Sequence, residues 1–333
     1  MRSLVVLPED SGRPLVEAIE AASRSLRVKM FAFSDPVLVH ALVGARRRGV
    51  NVRVLLDGGH HYGEENRRAA ARLERGGVEV AEGGPAFSVT HEKSLVVDDA
   101  VAFVGTLNFT TKNLTSTRDY VVVTSQAREV REIAAVFDAD WHGQSFHPRA
   151  GGSLVWSPGS RDRFASFIDE ARRSLVVQSE RLLDVTIIER MVRAVGRGVK
   201  VRVMTRSPRT LEPKKRLDGI GMLRILAEVG AKNRELDDPR LHAKLLLRDS
   251  AAALVGSTNL TPGSFDRRRE LAIEVRDAEL VDRLTAVTRR DWKRSAQLDL
   301  STEALAAARK ATAALHERAP THEAGAAPLR SAA

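Results

Sequence analysis

The chain has 333 residues, 43% of them hydrophobic and 29% charged, a composition typical of a globular protein long enough for two domains. It contains no cysteine, which excludes disulfides, thiolate metal sites and cysteine nucleophiles. Its net charge of +10 favours polyanionic partners, either nucleic acid or an anionic membrane surface.

A membrane-spanning segment is not predicted. No apolar run in the sequence approaches the roughly 18 residues needed to cross a bilayer. The apolar segment within the first ten residues is too short for a secretory signal. We therefore expect a cytoplasmic protein that is at most peripheral to a membrane.

The first half of the chain alternates between helical and strand-like segments. Helices are predicted over residues 14–23, 66–75 and 128–141, and strands over residues 26–33, 50–56, 78–81 and 120–124, with residues 37–48 joining the first two strands. Two apolar runs on either side of Asp98 predict a hairpin. Strands that alternate with helices around a hairpin predict an α/β fold with a mixed sheet.

This series of segments occurs twice. Residues 48–54 recur as residues 197–203, a shift of 149, and from the hairpin onward the shift is 151. So small a difference over such a span indicates two tandem copies of one domain. We assign the first domain to residues 1–148, the second to residues 149–296, and a C-terminal helix with a disordered tail to residues 297–333.

Each copy carries the same polar motif with the same spacing. The first copy consists of His91, Lys93, Asp98 and a Gly-Thr-Leu-Asn segment that ends at Asn108. The second copy consists of His242, Lys244, Asp249 and a Gly-Ser-Thr-Asn segment that ends at Asn259. In a strand, residues two apart share a face, so the His and Lys of each copy are expected to project together. Asp98 is expected to stabilise the hairpin turn.

The motif resembles the signature of the phospholipase D superfamily, H-x-K-x4-D-x6-G-S-x-N, with Thr106 in place of the usual Ser in the first copy. A further match is an acid 28 residues after each motif histidine, Asp119 in the first copy and Glu270 in the second. The resemblance implies two phospholipase D-like α/β/α sandwich domains with mixed sheets, related by a pseudo-twofold axis, whose half sites form one site.

The resemblance also implies a mechanism. One imidazole attacks phosphorus to give a covalent phosphohistidine, while the other protonates the departing oxygen and then activates water or an alcohol. The Lys and Asn side chains hold the nonbridging oxygens, the acids orient the imidazoles, and no metal or other cofactor is expected. The implied catalytic residues are His91, Lys93, Asn108, Asp119, His242, Lys244, Asn259 and Glu270, and the implied substrate-binding residues are Thr106 and Ser257. By analogy, His91 is the nucleophile and His242 the general acid.

The substrate is less well defined than the bond that is broken. Our first hypothesis is a phospholipase D or cardiolipin-synthase-like enzyme that hydrolyses or transfers a phospholipid head group at a membrane surface, although many cardiolipin synthases carry N-terminal membrane helices and none is predicted here. The second is a nuclease for DNA or RNA, although the 5% aromatic content offers few side chains for base stacking. The third, a catalytically silent phosphate-binding module, ranks last because both motifs retain His, Lys and Asn.

Other polar segments flank the motif. The loops at residues 58–63 and 206–238 follow strands, and we expect them either to select the substrate or to be solvated connections. Arg118 and the run at residues 267–269 precede the two acids. They are expected either to contact substrate phosphate or to lie on a solvated face.

Overall fold

We describe the chain from a computed structural model, which places residues 1–58, 62–146, 151–206, 220–304, 306, 307 and 310. Three predicted features fall wholly or mostly outside these described residues. They are the domain boundary near residues 147–150, the basic part of the loop after residue 206, and the C-terminal tail from residue 311. Residues 59–61 of the other predicted loop also lie outside them.

The first half contains the strands and helices that the periodicity predicts. Its strands are β1 (Arg2–Leu7), β2 (Ser25–Met30), β3 (Asn51–Leu56), β4 (Glu79–Glu82), β5 (Val89–Thr90), β6 (Ser94–Val97), β7 (Val101–Gly105) and β8 (Thr117–Thr124). Its helices are α1 (Arg13–Ala21), α2 (Pro36–Arg47), α3 (Gly63–Arg75), α4 (Thr111–Thr115) and α5 (Ala127–Trp141). Strand β1 was not predicted, because four consecutive buried residues at its end give no alternation of polar and apolar positions.

The second half repeats this order. Its strands are β9 (Leu154–Ser157), β10 (Ser174–Gln178), β11 (Lys200–Thr205), β12 (Lys232–Glu235), β13 (Arg240–Leu241), β14 (Leu245–Arg248), β15 (Ala252–Gly256), β16 (Arg268–Val275) and β17 (Ala296–Gln297). Its helices are α6 (Arg161–Asp169), α7 (Val185–Gly196), α8 (Ile220–Glu228), α9 (Pro262–Asp266) and α10 (Ala278–Arg294). The predicted duplication is therefore present in the structure.

Each half forms one mixed sheet, as predicted. The first sheet has the order β1-β8-β7-β6-β2-β3-β4, in which β2, β3 and β4 are parallel and the remaining pairs are antiparallel. The second sheet repeats this pattern from β9 through β16, β15, β14, β10 and β11 to β12. Helices pack on both faces, so each half is an α/β/α sandwich.

The two halves exchange short strands. Strand β5 of the first half pairs in parallel with β16 of the second, and β13 of the second half pairs in parallel with β8 of the first. Each exchanged strand ends immediately before a motif histidine. This reciprocal exchange follows the pseudo-twofold relation between the halves and places each histidine beside the other half.

Three hydrophobic clusters hold the fold together. One lies between the first sheet and α1 to α3, and another between the second sheet and α6 to α8. The third contains residues of both halves, among them Tyr120 and Val122 of β8 with Leu271 and Ile273 of β16. Because this central cluster contains residues of the two acid-bearing strands, packing fixes those strands relative to one another.

The hairpin acids have the structural role that was predicted for Asp98. Its carboxylate accepts hydrogen bonds from the backbone N–H groups of Ser23, Arg24 and Ser25, which precede β2. Asp249 does the same for residues 172–174, which precede β10. Both acids have φ near +55°, a conformation that Asp tolerates in turns. The prediction of a turn-stabilising acid is confirmed.

Candidate active site

The motif histidines follow the exchanged strands directly. The backbone N–H of His91 donates to the carbonyl of Arg269, and that of His242 donates to the carbonyl of Arg118. Residues 91–93 and 242–244 themselves lie outside the strands, so the prediction that they occupy a strand is wrong. Each His and Lys still meet, because the lysine turns back and its ammonium donates to the histidine carbonyl, at 2.6 Å for Lys93.

Each imidazole is held by the acid of the other half. His91 Nδ1 lies 2.7 Å from Glu270 Oε2, and His242 Nδ1 lies 2.8 Å from Asp119 Oδ1. The shorter Asp119 side chain therefore reaches its histidine. Because Nδ1 is engaged in both rings, Nε2 is the nitrogen that remains to react with a substrate. The sequence indicated both acids but not this crossed pairing, which results from the strand exchange.

The two lysines lie close enough to affect each other electrostatically. Burial, followed by repulsion from Lys244, holds the pKa of Lys93 well below its ordinary value. Lys244 Nζ also lies 3.3 Å from His242 Nε2 and contributes to the shift of the His91 pKa. The two lysines therefore belong to one centre, and an anion bound there would offset the repulsion between them.

His91 is neutral at neutral pH. The pKa of its imidazole is lowered to about 3, chiefly by burial. The charges of Lys93 and Lys244 act in the same direction, and Glu270 opposes them. The Phe31 ring, with its centroid 4.6 Å from that of His91, contributes to this apolar environment. A neutral imidazole with Nδ1–H bonded to a carboxylate keeps an unprotonated Nε2, as a nucleophile requires.

The depressed pKa of His91 predicts how stability changes with pH. The unfolded chain binds a proton to His91 below about pH 6.5, whereas the folded chain binds it only near pH 3, so this contribution to stability is complete above pH 6.5 and falls with decreasing pH. Wild type should therefore lose about 2 kcal/mol more than His91→Gln between pH 6.5 and pH 5. Urea unfolding of both proteins measures the difference, and a difference that does not change with pH would refute the assignment.

The motif asparagines keep unused hydrogen-bonding capacity. Asn108 and Asn259 are buried, at 4% and 5% exposure, and in the described residues neither side-chain oxygen has a hydrogen-bond partner. Glu270 Oε1 is also without a partner there. Buried polar groups are rarely left unpaired, and these three oxygens accept, so each has room for a hydrogen-bond donor.

Thr106 and Ser257 lie behind the acids. Thr106 is fully buried, and its hydroxyl donates to Asp119 at 2.5 Å while accepting from the backbone N–H of Tyr120. Ser257 is also fully buried, and its hydroxyl hydrogen-bonds to the backbone of Leu271. Both hydroxyls thus bond within the protein, and the prediction that they bind substrate stays a prediction. Their contacts fix the acids and the strands that carry them.

Arg118 and Arg269 link the two halves. Arg118 is fully buried and donates to Asp291 of α10 at 2.7 Å. Arg269 of the second half donates to Asp140 of α5, in the first half, at 2.8 Å, which is the equivalent contact. The expectation that these arginines contact phosphate or solvent is wrong. Each arginine precedes an acid by one residue, so the pair fixes the strands that carry the acids.

Two further charged residues lie near the site: Glu180, which the sequence analysis did not indicate, and Arg268, which it indicated only as a member of the run at residues 267–269. Glu180 Oε2 lies 3.8 Å from His242 Nε2 and 3.7 Å from Lys244 Nζ. Arg268 is near Lys93 and Glu270, and burial lowers its pKa. Glu180 occurs in one copy only, so a search for residues shared by the two copies did not find it, and Arg268 could not be distinguished from its neighbours in a basic run.

The described residues offer neither a metal cluster nor a membrane span. In residues 1–58, 62–146, 151–206 and 220–304, no group of three or more His, Asp or Glu side chains is arranged to hold a metal ion. Over the same ranges, every helix is too short or too polar to cross a bilayer.

The fold and site define a protein of two homologous halves that share one site of paired histidines, lysines and acids. A family model described as the phospholipase D-like domain of cardiolipin synthase matches residues 15–141 and 164–292. The chain therefore belongs to the phospholipase D superfamily, in agreement with the resemblance of its motifs.

Named relatives agree with this assignment. The chain is 33% identical to the Homo sapiens mitochondrial cardiolipin hydrolase over 135 residues, which cover 40% of this chain and 51% of that protein. It is 26% identical to cardiolipin synthase B of Salmonella typhi over 308 residues, covering 78% and 73%. The chain thus spans about half the length of the cardiolipin hydrolase.

A solved structure shows the same fold across the whole chain. Phosphatidylserine synthase from Haemophilus influenzae Rd KW20 superposes with a TM-score of 0.72, covering 95% of this chain and 94% of that one, at 12% sequence identity. At that identity the likeness concerns the fold alone.

Proposed function

We propose that the protein is a metal-independent phosphodiesterase that forms a covalent phosphohistidine and hydrolyses or transfers a phospholipid head group. The observation that carries the proposal is the crossed pairing of His91 with Glu270 and of His242 with Asp119 around one centre that contains both lysines. Two oriented imidazoles beside two lysines supply a nucleophile, a proton donor and charge stabilisation for a phosphodiester.

In the first step, the Nε2 lone pair of His91 attacks phosphorus. The bond from phosphorus to the departing oxygen breaks, and His242 gives its Nε2 proton to that oxygen. In the second step, the now neutral His242 takes a proton from water or an alcohol, whose oxygen attacks phosphorus and releases His91. Lys93 and Lys244 hold the nonbridging oxygens, and Asn108 and Asn259 donate to them.

The low pKa of His91 supports its assignment as the nucleophile, because a neutral imidazole is needed before the attack. His242 is less buried than His91 and lies near two carboxylates, Asp119 and Glu180. Glu270 and Asp119 orient the imidazoles. Thr106 and Ser257, buried behind these acids, help to position them.

A basic surface on the second half supports a polyanionic partner. Lys200, Arg202, Lys232, Arg234 and Arg289 surround Trp292, and adjoining cavities, the largest of about 820 Å³, are lined by members of this set. In the described part of the chain, none of the five forms an ion pair with a carboxylate. A surface of this kind suits anionic head groups.

The corresponding surface of the first half is not basic, because acidic residues pair with its arginines. Asp138 pairs with both Arg27 and Arg53, at 3.1 and 2.7 Å, and Asp99 pairs with Arg27. The residue that corresponds to Asp138 at a shift of 151 is Arg289. A basic surface favours a polyanionic substrate over a small phosphodiester, but it favours lipid and nucleic acid alike. A nuclease is therefore the second candidate.

A parallel assay tests the function. The protein is incubated with vesicles containing cardiolipin or phosphatidylglycerol, and separately with plasmid DNA and single-stranded RNA, each with and without excess EDTA. We expect head-group release or exchange that persists in EDTA, and no cleavage of nucleic acid. Nicking without lipid turnover would establish the nuclease instead. Loss of all activity in EDTA, restored by a divalent metal, would contradict the metal-independent mechanism.

A further inference from the structure

The two halves differ at one position beside the reactive imidazoles. Phe31 follows β2, and the corresponding residue after β10, at a shift of 149, is Glu180. Phe31 packs its ring against His91. Glu180 instead places a carboxylate 3.8 Å from His242 Nε2, the nitrogen that Asp119 leaves free. An otherwise duplicated site thus has one apolar and one anionic half.

The charges around the two imidazoles differ accordingly. His242 faces Asp119 at Nδ1, and Glu180 and Lys244 near Nε2. Arg206 lies 3.5 Å from Glu180. Tyr62 is also near, since the pKa of its hydroxyl is raised first by burial and second by the charge of Glu180. His91 faces one carboxylate, Glu270, and is opposed by Lys93 and Lys244.

Glu180 is ionised in this environment. Burial acts to raise the pKa of its carboxyl group, but the charges of His242, Lys244 and Arg206 outweigh burial, and the pKa is lowered. Its negative charge therefore opposes the effect of the Lys244 ammonium, which lies 3.3 Å from the same imidazole nitrogen. Without Glu180, Lys244 would disfavour the imidazolium of His242.

We propose that Glu180 is a positioning residue whose charge acts on His242 Nε2 and offsets that of Lys244, whereas Phe31 leaves His91 without such a carboxylate. The inference rests on the proposed function, since it concerns the histidine that acts as the acid in that reaction. The inference also predicts that Glu180 weakens substrate binding, because its carboxylate lies beside Lys244 and repels a phosphodiester anion. Removal of Glu180 should therefore weaken catalysis without weakening substrate binding.

The charge effect can be measured without a substrate. Proton NMR of the histidine ring resonances as a function of pH is compared in wild type, Glu180→Gln and the control Glu189→Gln, whose carboxylate pairs with Arg193 on α7. His242 should deprotonate roughly one pH unit lower in Glu180→Gln than in the other two proteins. An unchanged His242 titration would overturn the inference, whatever the enzyme's substrate.

Kinetics provide the second test. In Glu180→Gln, the alkaline limb of kcat should move roughly one pH unit lower, kcat above that limb should fall about tenfold, and KM should stay equal or decrease. In Glu180→Asp, the alkaline limb should lie between its positions in wild type and in Glu180→Gln. A raised KM with unchanged kcat and pH profile would make Glu180 a substrate-binding residue and refute the proposal. An absence of phosphohistidine in wild type would instead refute the proposed function, independently of the NMR result.

Discussion

Replacing His91 or His242 with alanine should lower kcat at least about 10³-fold, because each removes a group that the chemistry needs in both steps. Without His91 no phosphohistidine can form, and without His242 the departing oxygen leaves unprotonated. Since the two residues act as a unit, the double variant should be about as inactive as either single variant. Steady-state kinetics with the substrate identified by the parallel assay measure the loss.

The control for this experiment is His142→Ala. His142 is exposed at the end of α5 and its ring bonds to the carbonyl of Asp138, away from the paired acids. It should keep wild-type activity. Circular dichroism should show the fold intact in all variants. Full activity in either His91→Ala or His242→Ala would contradict the two-histidine mechanism.

Arg118→Met should lower the free energy of unfolding by about 3–5 kcal/mol, because it leaves the buried carboxylate of Asp291 without its cation. Arg118 and Asp291 are both fully buried, and Arg118 also binds Glu9 and the carbonyl of Leu7. In the variant, the Asp291 carboxylate would keep, among the described residues, only the 3.3 Å contact with the Gln178 amide. Urea unfolding at neutral pH measures the loss.

The other half provides a matched variant. Arg269→Met removes the equivalent arginine, but its partner Asp140 also binds the buried ammonium of Lys29 at 2.6 Å. That carboxylate stays paired, so Arg269→Met should cost clearly less than Arg118→Met. Equal losses in the two variants would show that burial of the arginine stem, and not the orphaned charge, determines the effect.

The repeat made most of the fold predictable. The shift of 149 to 151 residues implied two copies, and the motifs within them identified both histidines, both lysines and the two acids that bond to the histidines. The predicted segments at residues 26–33, 50–56 and 128–141 correspond to β2, β3 and α5. These segments are long enough for their periodicity to be read.

What the sequence did not reveal depends on contacts between distant segments. Strands β5 and β13 are two residues long and have no periodicity, so neither the exchange nor the crossed pairing of acids could be inferred. Arg118 resembles a surface cation until the strand exchange places it against Asp291. Glu180 breaks the repeat instead of following it, and a comparison of the two copies around Phe31 was the signal that could have identified it.

Covalent trapping tests the central claim most directly, namely that two half sites form one centre with His91 as nucleophile. Bis(4-nitrophenyl) phosphate is incubated with wild type, His91→Ala and His242→Ala, the reaction is quenched in alkali, and peptides are mapped by mass spectrometry. The activated leaving group needs no acid, so a phosphorylated adduct should form on His91, accumulate in His242→Ala and be absent from His91→Ala. An adduct on another residue, or turnover by His91→Ala, would contradict the account.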